Sequence, residues 1–399
     1  MAHFYKNSSR LAGELSVCRH PVLVVGSGIF GSVMAERLAA DGGRDVFILE
    51  KRGHIGGNSY SAADPETGID VHRYGSHIFH TSSSKVWNYI SQFAGFNTYR
   101  HKVMITSNGR VYAMPISLMT INAFFERNLK PGDIDTFLSA STEKFRDHVP
   151  ANLEEKAISL IGEDLYRVFI KGYTEKQWGR PATELPAEII TRLPVRRNYN
   201  IDYFNDTYQG IPLGGYGQLF EKLLGHPKIR VFLDTDYFDV RDRLPDGAET
   251  IWTGPVDRLL DYKYGHLEWR SLRFEWETIP TADWQGTAVM NYADREIPWT
   301  RIHEFKHYHP EWKEIFESAK TVICREFPAA WKPGDEPYYP INNERNRNLY
   351  QKYAGEITQR PGWHLGGRLG AYQYWDMDKA VLNALDLYET AFGSNGGRP

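Results

Sequence analysis

The pattern of apolar positions is plainest from Val22 onward. Four apolar residues, Val22 to Val25, run unbroken into Gly26-Ser27-Gly28, and an amphipathic stretch then extends to Gly42. An unbroken apolar run closed by glycine predicts a buried strand, and the helical spacing after it predicts a helix. A second strand is predicted at Asp45 to Leu49, a helix at Ser84 to Gln92, and a hairpin over His101 to Tyr112 that turns at Asn108-Gly109. Leu118 to Gln177 is rich in helix formers at helical spacing, with breaks at Lys130-Pro131-Gly132 and Val149-Pro150. Tyr199 to Gly217 and Arg230 to Val240 read as extended segments with turns. Trp269 to Ile323 carries several runs rich in β-branched and aromatic residues, so a second sheet is expected. A glycine cluster within Trp363 to Asp378 leads into a last helix, Met377 to Phe392. The residues before His20 are mostly polar and are expected to form a loose arm.

At 399 residues the chain exceeds what one hydrophobic core serves, so two or three units around a shared site are expected. An aromatic share of 14% suggests surfaces that stack on rings. The net charge of −3, with no long basic run, lacks the electrostatic footprint of a nucleic-acid binder. Cys18 and Cys324 lie far apart in no metal or disulfide spacing, which points away from a metal site and fits a reducing, cytoplasmic setting. The apolar run at Pro21 to Val25 is too short to span a bilayer, so no membrane association is expected.

Gly26, Gly28 and Gly31 form G-x-G-x-x-G between the predicted strand and helix. The first allows the turn, the second lets the backbone approach a pyrophosphate, and the third packs helix on strand. Glu50 follows Gly31 by 19 residues, at the end of the second strand, where a carboxylate accepts hydrogen bonds from a ribose. The glycines alone would also suit a bare structural turn; strand, helix and Glu50 together point to a dinucleotide. Leu213 to Leu219 (LGGYGQL) does not follow a clear apolar strand and is not read as a second such unit. Trp178, Tyr173 and Tyr203 offer flat faces for a base and a sugar, and Arg192 and Arg301 offer bidentate donors for a diphosphate. Taken singly, such residues are more often core aromatics or solvated charges.

Arg52, Gly56, Gly57 and Asn58 in EKRGHIGGNSY, with the late segment GGRLGAYQYWDMD (Gly366 to Asp378), resemble the FAD/GDI-type flavoprotein family. Within it, HRYGSHIFHT (from His72), YTEKQWG (from Tyr173), TRLPVR (from Thr191), YFNDTYQGIP (from Tyr203), PWTRI (from Pro298) and PYYPI (from Pro337) are similar to UDP-galactopyranose mutases of the prokaryotic, FAD-dependent type. The resemblance implies an α/β fold with α+β elements. Its parts would be a discontinuous Rossmann-like FAD domain (20–100, 212–265 and 340–399), a helical domain with a mobile lid (115–195), and an antiparallel sheet domain (101–114, 196–211 and 266–339).

It further implies FAD contacts at Gly26, Gly28, Phe30, Gly31, Glu50, Lys51, Gly57, Asn58, Ile78, Gly367, Arg368, Tyr374, Asp376 and Met377. UDP-galactose would touch Phe169, Tyr173, Thr174, Trp178, Arg192, Tyr203, Asn291, Arg301, Tyr339 and Tyr374, with Arg192 and Arg301 flanking the diphosphate, His77 and His80 in a loop beside the flavin, and His80 near the sugar as well. The lid would run from Trp178 to Arg196, with Gly179 and Pro194 as hinge limits. The implied activity is an isomerase reaction in which N5 of reduced FAD attacks the anomeric carbon, UDP leaves, and a flavin-sugar iminium allows the ring to open, with no net redox change. The absence of a Ser/His/Asp or Cys/His arrangement agrees with a cofactor as the covalent catalyst. An external reductant such as NAD(P)H or a reductase and a homo-oligomeric state follow from the family alone. Rival readings are an FAD-dependent amine or protoporphyrinogen-type oxidase and a non-catalytic binder akin to GDP-dissociation inhibitors. Two departures from the family pattern, the N-terminal arm and Trp375, are expected to lie away from the chemistry.

Overall fold

The computed structural model describes residues 3–145, 148–192 and 195–393. Six short strands form a parallel sheet in the order His3–Tyr5, Ile229–Phe232, Val46–Leu49, Val22–Val25, Glu249–Trp252, Trp363–Leu365. Side chains alternate between its faces. Val22, Val24, Val46 and Ile48 join the core built with helices Ile29–Ala40 and Met377–Ala391. Leu23, Val25, Phe47 and Leu49 join a second core with Leu349, Tyr353 and Ile357 of helix Glu344–Thr358. A sheet covered on both faces needs apolar residues at every position, which is why these strands read as unbroken runs rather than alternations. The unit is Rossmann-like, and the fold is mixed α/β.

The N-terminal residues are not a loose arm. His3–Tyr5 forms the edge of the parallel sheet beside Ile229–Phe232. Helix Leu11–Ser16 drops Leu11 and Leu15 into the second core, and Arg230 ties Glu14 and Asp45 together at 2.8 Å each. Two leucines at i and i+4 were the only local signal, diluted by polar neighbours.

The second sheet has seven strands in the order Tyr339–Pro340, Trp269–Ile279, Thr321–Ala330, Arg301–Glu304, Val289–Tyr292, Val103–Ser107, Arg110–Met114. It is antiparallel apart from one parallel pairing, Val289–Tyr292 with Val103–Ser107. The expected hairpin turns at Asn108 and Gly109, both left-handed with φ of 51° and 72°, as a tight two-residue turn requires.

The helical region comprises Leu118–Phe125, Ile134–Thr142, Leu153–Ile161 and Gly172–Trp178, with breaks at Pro131–Asp133 and before the Asn152 cap. Tyr166–Lys171 is wound as a π-helix just before the YTEKQWG segment, a departure from α geometry that often accompanies functional sites. Two expected extended segments are largely otherwise. Within Tyr199 to Gly217 only Tyr208–Gly210 is a strand, paired with Phe79–Thr81, and the glycines after it open helix Gly215–Leu223. Beyond Phe232 the chain turns into the short helix Tyr237–Val240, capped by Asp236.

Candidate functional site

Carboxyl ends of the parallel strands form one rim of a cleft holding about 540 Å³ of water-accessible space. Ligands of open α/β sheets bind at such rims. Gly26 leaves the strand Val22–Val25 with φ of 99°, and a Cβ there would lie 2.2 Å from Thr253 Oγ1. Gly31 sits against the carbonyl of Gly26, where a Cβ would be 2.1 Å away, so helix Ile29–Ala40 packs on the turn only with glycine at this position. Gly28 caps that helix at φ −62° and ψ 174°, backbone that any residue adopts, and a Cβ would meet no protein atom within 4 Å. Its side chain would instead enter the cleft.

Glu50 is buried at the rim. Its Oε2 accepts from Ser27 N at 2.9 Å and Ser27 Oγ at 2.6 Å, and its Oε1 accepts from Arg52 N at 2.9 Å. Arg52 donates to Asn58 Oδ1 at 2.9 Å and Glu336 Oε2 at 2.8 Å and stacks on Tyr74. Lys51 pairs with the same Glu336 at 2.5 Å. Phe30, Gly57, Gly367, Arg368 and Met377 complete the wall among the expected cofactor contacts, whereas Ile78, Tyr374 and Asp376 do not line this cleft. Trp375 does line it, and its carbonyl accepts from Arg368 Nη2 at 2.7 Å, so this departure from the family pattern lies in the site rather than away from it.

Sequence reasoning missed the far end of the cleft. Arg258 pairs with Asp236 at 2.8 Å and lies 4.3 Å over the ring of Phe238. Asp236 follows the strand Ile229–Phe232 and Arg258 follows Glu249–Trp252, so the sheet order would have placed both at the rim. No motif marks them.

A second cluster surrounds Arg301. The strand Arg301–Glu304 places Arg301 opposite Glu326 and beside Asn291, and Arg301 Nε lies 3.3 Å from Glu326 Oε1. About 28% of the Arg301 side chain is exposed against 3% for Glu326, so the cation is reachable and its counterion is not. Burial opposes charge on both. The attraction between them nonetheless holds Arg301 well above its ordinary value and Glu326 below its own, the latter helped by a hydrogen bond from His303. Arg301 also donates to the hydroxyl of Tyr173. Burial raises the phenols of Tyr173, Tyr339 and Tyr203, the last to about 12, so all three keep their protons at neutral pH. The ring of Tyr339 lies 5.3 Å from that of Tyr374 and 6.4 Å from Trp178. Arg368 stacks on Tyr374 at 4.8 Å and so joins this cluster to the cleft. Asn291 Oδ1 is buried with no hydrogen-bond partner among the described residues, as a ligand-facing acceptor would be.

Of the remaining expected residues, among those described only His77 lines the cleft. Phe169 packs in the core against Tyr112 and Phe124, and Thr174 is buried. His77 lines the cleft, its Nδ1–H donating to the Gly75 carbonyl at 2.8 Å. His80 does not; its Nδ1 pairs with Asp206 at 2.7 Å and its ring stacks on Phe204. Arg192 ends the turn Ala187–Arg192, but its side chain, like Leu193 and Pro194, lies outside the described residues. Ala182, Leu185 and Ile190 of the expected lid are buried, and Gly179 ends helix Gly172–Trp178 in a left-handed cap. Among the described residues Asp283, Glu304 and His307 could bring metal-ligating atoms together. Both Glu304 oxygens, however, accept backbone N–H groups of Trp284 and Gln285 at 2.9 Å, closing a turn.

Lys176, from the same segment as Trp178, holds the chain that leads into Arg301. Its Nζ lies 2.7 to 3.2 Å from the carbonyls of Tyr292, Asp294, Ile297 and Trp299. Lys176→Met strands four acceptors and is expected to cost about 3 kcal/mol, read as a fall of roughly 5 °C in Tm by calorimetry. An unchanged Tm would contradict this role.

A sequence model described as UDP-galactopyranose mutase matches residues 168–374, and one for an NAD(P)-binding Rossmann-like domain matches residues 24–93. The chain is similar to a probable UDP-galactopyranose mutase of Klebsiella pneumoniae, 41% identical over 367 residues, spanning 91% of this chain and 92% of that protein. It is similar to a dTDP-fucopyranose mutase of Escherichia coli, 35% identical over 378 residues, spanning 94% and 99%. Among solved structures, reduced UDP-galactopyranose mutase superposes with a TM-score of 0.69 at 16% identity, over 96% of this chain and 95% of that one, a likeness of fold.

Proposed function

The chain belongs to the UDP-galactopyranose mutase family, and from that membership we propose that it interconverts UDP-galactopyranose and UDP-galactofuranose with a bound FAD that must be reduced for turnover. The observation that carries this reading is the wall shared by the two halves of the site. Arg368 lines the glycine-bounded cleft and stacks on Tyr374, whose ring faces Tyr339 and, beyond it, Trp178.

Gly28 supports the fit of a dinucleotide. Among the described residues nothing requires glycine there, since its backbone is unstrained and a Cβ would touch no neighbour; a pyrophosphate in the cleft would. In this reading Gly26, Gly28, Gly31 and the amino end of helix Ile29–Ala40 hold the pyrophosphate, and Glu50 takes the ribose. Arg258 and Phe238 flank the adenine, and Gly367, Arg368 and Met377 meet the flavin ring, with Phe30 packed beneath. Bound and reduced, FAD supplies a nucleophilic nitrogen for the anomeric carbon and returns unchanged in oxidation state.

The protein's own part is electrostatic and positional. Arg301, its charge kept by Glu326, faces the diphosphate with Arg192 as its proposed partner. The two neutralise the charge that develops as the anomeric bond to UDP breaks and keep UDP in place for its return. The protonated phenols of Tyr173, Tyr203 and Tyr339 donate to phosphate or sugar oxygens. Trp178 offers an apolar face, and the Trp178 to Arg196 segment excludes water as a lid. An external reductant such as NAD(P)H or a reductase, a cytoplasmic setting and a homo-oligomeric assembly belong to the same proposal; no helix of the described residues is long and apolar enough to cross a membrane. The oxidase reading is weaker, because an oxidase has no use for a buried carboxylate that fixes an arginine toward an anion.

Gly28→Val tests the cofactor site. The variant is expected to keep the parent's circular dichroism and to lose flavin affinity by about a hundredfold or more, as an overlap worth ~3 kcal/mol predicts. It would purify without visible flavin absorption. A yellow Gly28→Val protein would contradict the placement.

A further inference from the structure

Arg301 is held by Glu326, and Glu326 is in turn held by a line of buried and half-buried groups that the proposed reaction does not use. His303 follows Arg301 by two residues on the same strand face and is fully buried. Its Nε2 lies 3.1 Å from Glu326 Oε2 and its Nδ1 lies 2.5 Å from Ser76 Oγ. The hydroxyl of Tyr308 donates to Ser76 Oγ. Ser76 precedes His77, which lines the dinucleotide cleft. Gly75 lies against Glu326 itself; a Cβ there would be 3.3 Å from Oε2.

Donor accounting fixes every proton in this line. Glu326, paired with Arg301, is an ionised acceptor, so the N–H of His303 facing it is on Nε2. Burial keeps the His303 imidazole neutral, so Nδ1 carries a lone pair and accepts from the Ser76 hydroxyl. The Ser76 oxygen then accepts from Tyr308. The chain runs in one direction, from Tyr308 through Ser76 and His303 to Glu326. The opposite His303 tautomer would turn a lone pair toward the carboxylate, and its Nδ1–H, donating to Ser76 Oγ, would leave the Ser76 hydrogen without an acceptor in this line. Glu326 therefore selects the tautomer, and Ser76, donating to Nδ1, holds the ring that fixes the carboxylate.

We propose that His303 and Ser76 are positioning residues for Arg301: by holding Glu326 in one orientation they aim the guanidinium at the diphosphate, and they tie that aim to the loop beside the flavin ring. The proposal rests on the mutase reading for the identity of the anion and on the hydrogen-bond line for everything else. Among the described residues Glu326 has no other side-chain donor as close as His303, and the loss of His303 leaves Oε2 without this bond while Oε1 keeps only the longer contacts with Arg301 Nε at 3.3 Å and Thr300 Oγ1 at 3.5 Å.

UDP affinity by calorimetry, and mutase turnover of the reduced, flavin-loaded protein, are measured for the parent, Ser76→Ala, His303→Leu, His303→Gln and the Ser76→Ala/His303→Leu double variant. His303→Leu is expected to weaken UDP binding by about tenfold or more, the scale of a buried hydrogen bond to a charged group, and to raise KM more than it lowers kcat. His303→Gln, whose amide retains a donor toward Glu326, recovers most of the loss. Ser76→Ala falls between, and adds nothing in the double variant because both act through one carboxylate. Flavin content and Tm stay close to the parent in Ser76→Ala and His303→Gln. UDP affinity within about twofold of the parent in Ser76→Ala and His303→Leu, both still binding flavin, overturns the proposal; so does a Gln variant no better than Leu. A parent that shows this UDP pattern yet converts no galactofuranose upholds the positioning role and defeats the mutase reading instead.

Discussion

Arg301→Met is expected to abolish nearly all nucleotide-sugar turnover while leaving flavin bound. Arg301 contacts the substrate cluster and not the dinucleotide cleft, so cofactor loading is unaffected. Losing a charge contact made as UDP departs lowers kcat/KM by about a thousandfold; losing one partner of an ion pair whose carboxylate is buried, though Arg301 Nε makes no hydrogen bond in it, costs about 3 kcal/mol of stability. Part of that cost is the stranded Glu326 carboxylate, which is 3% exposed. The double variant Arg301→Met/Glu326→Gln removes the stranded charge, so it should regain thermal stability without regaining activity. Arg301→Lys keeps a charge but loses the planar fork and should recover only a small part of turnover. Steady-state kinetics together with melting curves separate the two effects; full activity in Arg301→Met would remove this arginine from the mechanism.

Stability is expected to fall steeply as pH drops below 6.5. Burial pulls His72 down to about 3, His77 to about 4 and His101 to about 3, each from an ordinary 6.5. For His72 the nearby Asp70 carboxylate acts in the other direction, at 3.8 Å, but without a hydrogen bond it does not outweigh the loss of water. The sign follows from proton counts. In the unfolded chain these imidazoles protonate near 6.5, while the folded protein keeps them neutral until pH 4 or lower. Between those values the unfolded state binds more protons, so stability is fully present above 6.5 and is lost as pH falls toward 4. Three such groups give a slope of up to about 4 kcal/mol per pH unit. His303 is lowered as well and adds to it. His307, raised because Glu304 and Asp283 outweigh its burial, opposes it, but it lies nearer the surface and counts for less. Calorimetry in matched buffers should find Tm level above pH 7 and falling by roughly 10 °C toward pH 5. A Tm that stays level to pH 5 would mean these histidines gain partners on protonation.

Much of the dinucleotide half could be read before any coordinates. Val22 to Gly31 signals itself because a doubly covered parallel strand must be apolar throughout and the turn after it must be glycine, and both requirements are local. Strands Glu249–Trp252 and Trp363–Leu365 carry no such signal. They are short and take their place from helices distant in sequence, which is also why Arg258 and Asp236 at the far rim went unseen. His3–Tyr5 was misread for the same reason, since its partner lies more than 200 residues away. In the substrate half, flat rings and arginines could be named but not assembled. Tyr339 and Tyr374 are adjacent in space only through the return of the chain, and Phe169, one of the expected contacts, turns its ring into the core. The line from Ser76 to His303 joins residues 227 apart and depends on a strand register that no local pattern encodes.

The central claim is tested most directly by incubating the purified, flavin-bearing protein with UDP-galactofuranose, with and without dithionite, and following UDP-galactopyranose by chromatography. A parallel arm with a dTDP-fucose substrate covers the chemistry of the second relative. The account predicts conversion of the UDP sugar only in the reduced sample, with no stoichiometric consumption of reductant. A protein with bound flavin that converts neither sugar nucleotide, reduced or oxidised, would contradict it.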